Sequence, residues 1–300
     1  MSLTYEEVDA LGEELACLHR RIVAPFAAHT FARVGESSTT ADVDLEHAFS
    51  EAVVRRWGHG VTVLGEEAVT ANRGDRRNGP RAVVVDPIDG TRLLREGRDD
   101  YACTFAVTEH GRILAGCVYM PKFNERYVAI RNRGLYCNGR RIQPRAQVAE
   151  RIVALRDRDF PYPAAIIAGL HERGVRTVRL ESTSRRLIEV ATGRVSGVGK
   201  YVGVTNGVAR VWGVAAGLVA CDGAGVDIWI DRIRRLLFVG DSSLSEVMKS
   251  GGAHVVSTTL DDAWTALSAG ENVGCGNVED IGVRPAAKSE DPAVDRMGSR

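Results

Sequence analysis

The chain has 300 residues, 44% hydrophobic and 26% charged, the balance of an ordinary globular protein with enough length to bury a substantial core. Acidic and basic side chains number 39 each, so no net field draws the chain to a nucleic acid polymer or an anionic membrane, and a phosphate-bearing ligand must be attracted locally. Cys17, Cys103, Cys117, Cys137, Cys221 and Cys275 are widely spaced without a C-x-x-C pair. That spacing excludes a disulfide framework and a zinc cluster, and predicts small buried hydrophobes in a reducing cytoplasm.

In chain order, the acidic stretch Tyr5-Glu6-Glu7-Val8-Asp9 has no basic segment followed by an apolar run, so it does not read as a signal peptide. No apolar stretch approaches the roughly 20 residues that cross a bilayer. Val8, Leu11, Leu15, Leu18 and Ile22 recur at spacings of three and four and predict a helix over 5–34. Ser37-Ser38-Thr39-Thr40 reads as a polar loop, and Asp42 as the possible N-cap of a helix over 43–57. Val61–Leu64 is a short strand leading into Gly65-Glu66-Glu67, and 71–80 is a surface loop. Arg81–Val85 is a buried β-branched strand that halts at Asp86. Tyr101–Thr108, Ile113–Tyr119 and Arg126–Ile130 predict an antiparallel meander with a turn at Glu109-His110-Gly111. Beyond residue 150, strands at Ile152–Leu155 and Arg176–Leu180 alternate with a helix at Thr183–Thr192; further helices follow at Val211–Cys221 and Leu260–Leu267. The expected organisation is an N-terminal α+β half over 1–150, a C-terminal α/β half over 151–270, and a flexible tail over 271–300.

The segment Asp86-Pro87-Ile88-Asp89-Gly90-Thr91 stands out chemically. A buried strand delivers Asp86 at its end, Pro87 biases Asp86 towards an extended conformation, and Asp89 follows across a turn, so both carboxylates can converge. Gly90 permits a close backbone approach, and Thr91 opens a short helix whose first amides suit a phosphate. Acids beside an anion site make sense with cations between them, and hard oxygen ligands without His or Cys point to Mg2+. An Asx-type turn capping a helix is the structural alternative for the same residues. Glu66 also follows a short strand and adds an acid at a second strand end.

Asp42 with Glu46, Gly65-Glu66-Glu67, Asp86 to Thr91, Gly134-Leu135-Tyr136-Cys137-Asn138-Gly139, and Trp212 with Ala215-Ala216-Gly217 occur in an order that resembles the inositol monophosphatase family. The resemblance covers roughly 30–220. It implies a layered αβαβα sandwich of the α/β (α+β) class, commonly a homodimer, with Mg2+ in a carboxylate cluster. It also implies hydrolysis of a small phosphorylated metabolite by water. By carry-over, Glu66, Asp86, the Ile88 carbonyl and Asp89 would hold metal. Asp42 and Thr91 would orient the attacking water, Gly90 and Thr91 amides would hold phosphate, and Ser182 and Asn206 would face the substrate, near Arg179 and Thr183.

Two positions depart from the family pattern. Its W-D-x-A-A-G motif supplies an aspartate to a second metal, where this chain reads Trp212-Gly213-Val214-Ala215-Ala216-Gly217. Asp222 and Asp227 are the nearby acids that would have to compensate. The family's sugar-contacting glutamate is replaced by Asn206, which can still bridge hydroxyls. The activity expected is Mg2+-dependent hydrolysis of a sugar, cyclitol or nucleotide phosphate. The alternatives are a family member that binds such a metabolite without efficient hydrolysis, or a one-metal enzyme of specialised metabolism. Arg185-Arg186 reads either as a contact for a second phosphate or as a solvated helix face.

Overall fold

Thr4 opens the first helix, α1 (Tyr5–Ile22), through a reciprocal capping box: Glu7 N donates to Thr4 Oγ1 (3.2 Å) and Thr4 N to Glu7 Oε2 (2.8 Å). This computed structural model describes residues 3–26, 30–34, 38–69, 80–143, 151–155, 164–201, 204–205, 208–209, 211–231, 236–250 and 256–268. The expected loop over 71–80 (Pro80 apart), Asn206, Cys275 and the expected tail over 271–300 lie outside the described residues. The first helix ends at Ile22 and does not run on to residue 34. The amides of Val23 and Ala24 both turn back onto His19 O, and Pro25 has no amide with which to continue.

The expected polar loop at 37–40 is also replaced. Ser38–Thr39 forms a short buried strand, β2, antiparallel to β1 (Arg33–Val34). Helix α2 (Thr40–Trp57) then starts earlier than predicted. Thr39 is its N-cap, and Asp42 sits inside the first turn, where its Oδ2 accepts from Thr39 N (2.7 Å) and Thr39 Oγ1 (2.6 Å).

The first sheet has the order β3 (Thr62–Gly65), β4 (Ala82–Asp89), β5 (Ala102–Glu109), β6 (Arg112–Met120), β7 (Glu125–Ile130), β8 (Gly134–Cys137), β9 (Arg140–Arg141). Short helices α3 (Glu66–Val69) and α4 (Thr91–Arg95) follow β3 and β4. Within this sheet only the β3–β4 pair is parallel among the described strands; β4 to β9 run antiparallel and contain the expected meander. Asn138 and Gly139, with φ of 47° and 80°, make the two-residue turn between β8 and β9, as Asn-Gly does in tight hairpins. The buried strand does not halt at Asp86. It continues through Pro87 to Asp89, and the register passes from Asp86↔Thr104 to Asp89↔Ala102, so the chain bulges between the two acids. A proline fits there because the bulge requires no ladder bond from it.

The second sheet has the order β11 (Arg176–Arg179), β10 (Ile152–Leu155), β12 (Gly197–Tyr201), β16 (Leu236–Gly240), β15 (Asp227–Asp231), β17 (Val256–Thr258). A small ladder, β13 (Val204–Thr205) with β14 (Val208–Ala209), stands apart. The helices of this part are α5 (Ala164–Glu172), α6 (Thr183–Ala191), α7 (Trp212–Gly223), α8 (Ser242–Ser250) and α9 (Leu260–Ser268).

Alternation along the strands sorts these elements into layers. Val83 and Val85 of β4 pack with Leu11 and Leu15 of α1 and Leu45 and Phe49 of α2. Ala82 and Val84 face the opposite way, onto Leu187 of α6 and Ala215, Ala216 and Val219 of α7. Those middle helices are shared with Ala154, Val198 and Val239 of the second sheet. The far face of that sheet packs Trp229 and Phe238 against Leu170 of α5 and Leu244 of α8. The result is helix, sheet, helix, sheet, helix, the expected αβαβα sandwich. Helix α7 seats closely because Gly116 of β6 lacks a side chain: a Cβ there would lie 2.7 Å from Ala216 Cα.

Candidate active site

The register of β3 against β4 brings the first acids together. Gly65, the last residue of β3, pairs with Val85, so Glu66 at the start of α3 and Asp86 of β4 follow directly from neighbouring parallel positions. Gly65 is required here, since a Cβ would come within 2.2 Å of both Glu46 carboxylate oxygens. Glu46, 5% exposed, accepts a hydrogen bond from Glu67 N (3.0 Å) and so anchors the start of α3.

Asp86 shares the parity of Ala82 and Val84, so it faces the middle layer. Helix α7 begins opposite it: a Cβ on Gly213 would lie 2.9 Å from Asp86 Oδ2 and 3.4 Å from Asp89 Oδ1. Helix α6 holds the other Asp89 oxygen. Ser182 Oγ donates to Asp89 Oδ2 (2.9 Å), as does Ser184 N, and Ser184 Oγ donates to Gly213 O (2.9 Å). Ser182 is also the N-cap of α6 and fully buried, so its hydroxyl lies against Asp89.

On the other side, Thr91 Oγ1 donates to Asp42 Oδ1 (2.8 Å) and lies 3.2 Å from Ile88 O. Gly90 holds φ 116°, which only glycine adopts without strain, and turns the chain from β4 into α4. Asp42, Glu66, Asp86, Ile88, Asp89, Gly90, Thr91 and Ser182 therefore meet around one region.

The electrostatics are those of crowded acids. Burial, then the charges of Glu66, Asp89 and Asp42, push the Asp86 carboxyl well above the usual carboxylate range; Lys200 pulls it the other way. Burial raises Asp42 too, opposed by its hydrogen bonds from Thr39 and Thr91. Burial raises Glu67, opposed by Ser38 and reinforced by Asp42.

Among the described residues, no three His, Cys, Asp or Glu side chains close around a single point as a finished metal cage does. The donor chemistry nevertheless suits a hard cation. Asp86 Oδ2 and Asp89 Oδ1 both face the start of α7 at Gly213, and Glu66 is the leading charged influence on the Asp86 carboxyl.

The sequence model of the inositol monophosphatase family matches residues 9–246. The chain belongs to the inositol monophosphatase family. The fructose-1,6-bisphosphatase/inositol-1-monophosphatase of Thermotoga maritima is 29% identical over 161 residues, which are 53% of this chain and 60% of that protein. The inositol-1-monophosphatase of Bacillus subtilis is 28% identical over 196 residues, 62% of this chain and 69% of that protein. A solved structure of an inositol monophosphatase from Zymomonas mobilis superposes with a TM-score of 0.64 at 20% identity, covering 83% of this chain and 99% of the other. That likeness shares the fold.

Within the family frame, several sequence expectations change. Asp222 lies nine residues along α7 from Gly213, about 13 Å by helical rise, and its charged surroundings are Arg131 and Asp261. Asp227 is exposed at the start of β15. Neither supplies the missing acid. Arg185-Arg186 is not a solvated face: Arg186 is fully buried, and Arg185 pairs with Asp100 (3.2 Å) and Glu189 (3.6 Å) over the Phe123 ring. Of the described cysteines, Cys103, Cys117 and Cys221 are buried as expected, and Cys17 is exposed. The residue that sequence reading missed is Lys200. Its signal was a single cation in the otherwise uncharged strand Gly197-Val198-Gly199-Lys200-Tyr201.

Proposed function

We propose that this chain hydrolyses a small phosphate monoester, a sugar, cyclitol or nucleotide phosphate, with Mg2+ held by Glu66, Asp86, Ile88 O and Asp89. The observation that carries this reading is the Thr91–Asp42 hydrogen bond standing beside the buried Asp86 and Asp89 carboxylates. A hard divalent cation supplies charge neutralisation for the phosphate and acidifies water in contact with it. Asp42, its geometry set by Thr39 and Thr91, accepts the proton of the attacking water. Burial raises its carboxyl above the ordinary carboxylate range, which makes it a stronger proton acceptor than an exposed aspartate. The Gly90 and Thr91 amides, at the head of α4, hold the phosphate, and Ser182 keeps Asp89 oriented towards Gly213. Asn206 contacts substrate hydroxyls in this reading.

The test is phosphate release by purified protein from a panel of such esters across a Mg2+ titration. Release that stops with a chelator and returns with Mg2+ supports the reading; no release at any Mg2+ concentration ends it. Gly213 favours a second reading, binding of the phosphorylated metabolite without hydrolysis, because an acid is lacking where the backbone faces Asp86. Calorimetry showing ester binding with no phosphate release distinguishes that case. A cytoplasmic homodimer completes the proposal, and light scattering checks the assembly. Among the described residues, no helix is long and apolar enough to cross a membrane.

A further inference from the structure

Strand β5 turns Ala102, Thr104, Ala106 and Thr108 towards the middle layer, where Ala102 and Ala106 join the core built on α6 and α7. Thr104 and Thr108 are both fully buried. A buried hydroxyl needs a partner, because burial strips it of the hydrogen bonds that water gives. Thr108 has one: its Oγ1 donates to Ala82 O at 3.4 Å. Thr104 Oγ1 is shielded from solvent and meets no hydrogen-bond partner among the described residues.

The sheet shows where an acceptor lies. Thr104 stands directly opposite Asp86 of β4 and Val118 of β6. Opposed side chains in an antiparallel ladder share a face, with Cβ atoms about 5 Å apart. Val118 is apolar, so of these two neighbours only the Asp86 side chain can accept a hydrogen bond. The next pair along the β4–β5 ladder, beyond the bulge, is Asp89 with Ala102, which has no hydroxyl. Helix α7 gives Asp86 no side-chain donor where Gly213 faces it, although a Cβ there would lie 2.9 Å from Asp86 Oδ2. A threonine hydroxyl moves between staggered positions by rotation about χ1, without displacing the backbone.

We propose that Thr104 is a positioning residue for the cation site: its hydroxyl donates to the Asp86 carboxylate when that carboxylate holds a divalent cation. Carboxylates that ligate metals are themselves oriented by outer hydrogen bonds, and loss of such a partner weakens binding by roughly 10- to 100-fold. The cost of the unbonded hydroxyl falls on the metal-free fold, and the new hydrogen bond adds to the free energy of cation binding. This rests on the phosphatase reading for the identity of the site, and concerns which residue outside the ligand set orients it.

The experiment titrates Mn2+ by calorimetry into the full-length protein and into Thr104→Val, Thr104→Ser and Thr108→Val, with urea midpoints of the metal-free forms. Valine keeps nearly the shape of threonine and removes the hydroxyl. Thr104→Val is therefore expected to unfold at or above the native midpoint, while its Kd for Mn2+ rises roughly 10- to 100-fold. Thr104→Ser restores the donor and keeps the native Kd. Thr108→Val, on the same face of the same strand, loses stability and keeps the native Kd. A native Kd in folded Thr104→Val overturns the proposal. So does an equal loss of affinity in Thr104→Ser or Thr108→Val, which would trace the effect to packing. If Thr104→Val does not fold, Thr104→Ala is compared with Thr104→Ser by the same readings. A native chain that takes up no Mn2+ overturns it too. Phosphate release is measured on the same preparations at saturating Mg2+. Its absence from the native chain counts against the phosphatase reading and leaves the Mn2+ titration to judge Thr104 separately.

Discussion

Thr91 donates its hydroxyl to Asp42 Oδ1 over 2.8 Å, joining residues 49 positions apart. Asp42 is also buried, and its other oxygen accepts both the amide and the hydroxyl of Thr39. The bond thus links the first turn of α2 to the first turn of α4 with little freedom to rotate. If this pair positions and deprotonates water, Asp42→Asn and Thr91→Val each lower kcat by roughly 10²- to 10⁴-fold. The KM for the ester changes far less. Steady-state phosphate release at saturating Mg2+ measures both, and full activity in Thr91→Val removes the pair from the mechanism.

Gly65→Ala tests the seating of the acid-bearing segment. The added methyl would sit 1.9 Å from Glu46 Cδ, and moving that carboxylate breaks its bond to Glu67 N. A cost of roughly 1–3 kcal/mol is expected from overpacking a closed site. Urea denaturation reads the loss, and Mn2+ titration reads weaker binding as Glu66 shifts. An unchanged midpoint shows that Glu46 can move without cost.

Gly116→Ala acts on the other side of the site. Its nearest neighbour is the Ala216 Cα at 2.7 Å, a backbone atom that moves only if α7 moves. Overpacking again predicts a loss of roughly 1–3 kcal/mol. Because Gly213 begins α7, displacement of that helix also alters its approach to Asp86. Melting temperature and Mn2+ affinity should therefore fall together.

His19 gives the protein an acid-side weakness away from the site. Buried against Tyr101, with its Nε2 2.8 Å from the phenol oxygen and its Nδ1 without a partner, it is pushed down to about 4, first by burial and then by Arg20. The unfolded chain takes up this proton near pH 6.5 and the folded chain only near 4. The contribution is complete above about pH 6.5 and falls by up to roughly 3 kcal/mol as the pH drops to 4. Asp42 and Asp86, raised by burial, act with the opposite sign. Urea midpoints of the native chain and His19→Gln at pH 7.5 and 4.5 isolate the histidine: the native chain should lose more stability on acidification.

Much of the first sheet was legible because its signals are local. The apolar run before Asp86, the Asn138-Gly139 turn and the alternating strands from residue 101 onwards are each set by neighbours in sequence. The second sheet was less so. Strands β12, β15 and β16 are short and buried within a layered core, where alternation between polar and apolar residues fades. The sequence leaves Asp42 open between an N-cap and a water-orienting acid, because both uses take the same residue type; the structure puts it inside the first turn of α2, bonded to Thr91.

The sequence by itself determined the carboxylate motif, the sandwich and the missing acid at Gly213, because motif order and strand chemistry are written along the chain. Only the tertiary structure decided what Gly213 faces and which charges act on Asp86. Asp86, Gly213 and Lys200 come from β4, α7 and β12, three layers whose relative placement depends on core packing. Charges separated by more than a hundred residues influence one another when burial brings them together and removes the water between them.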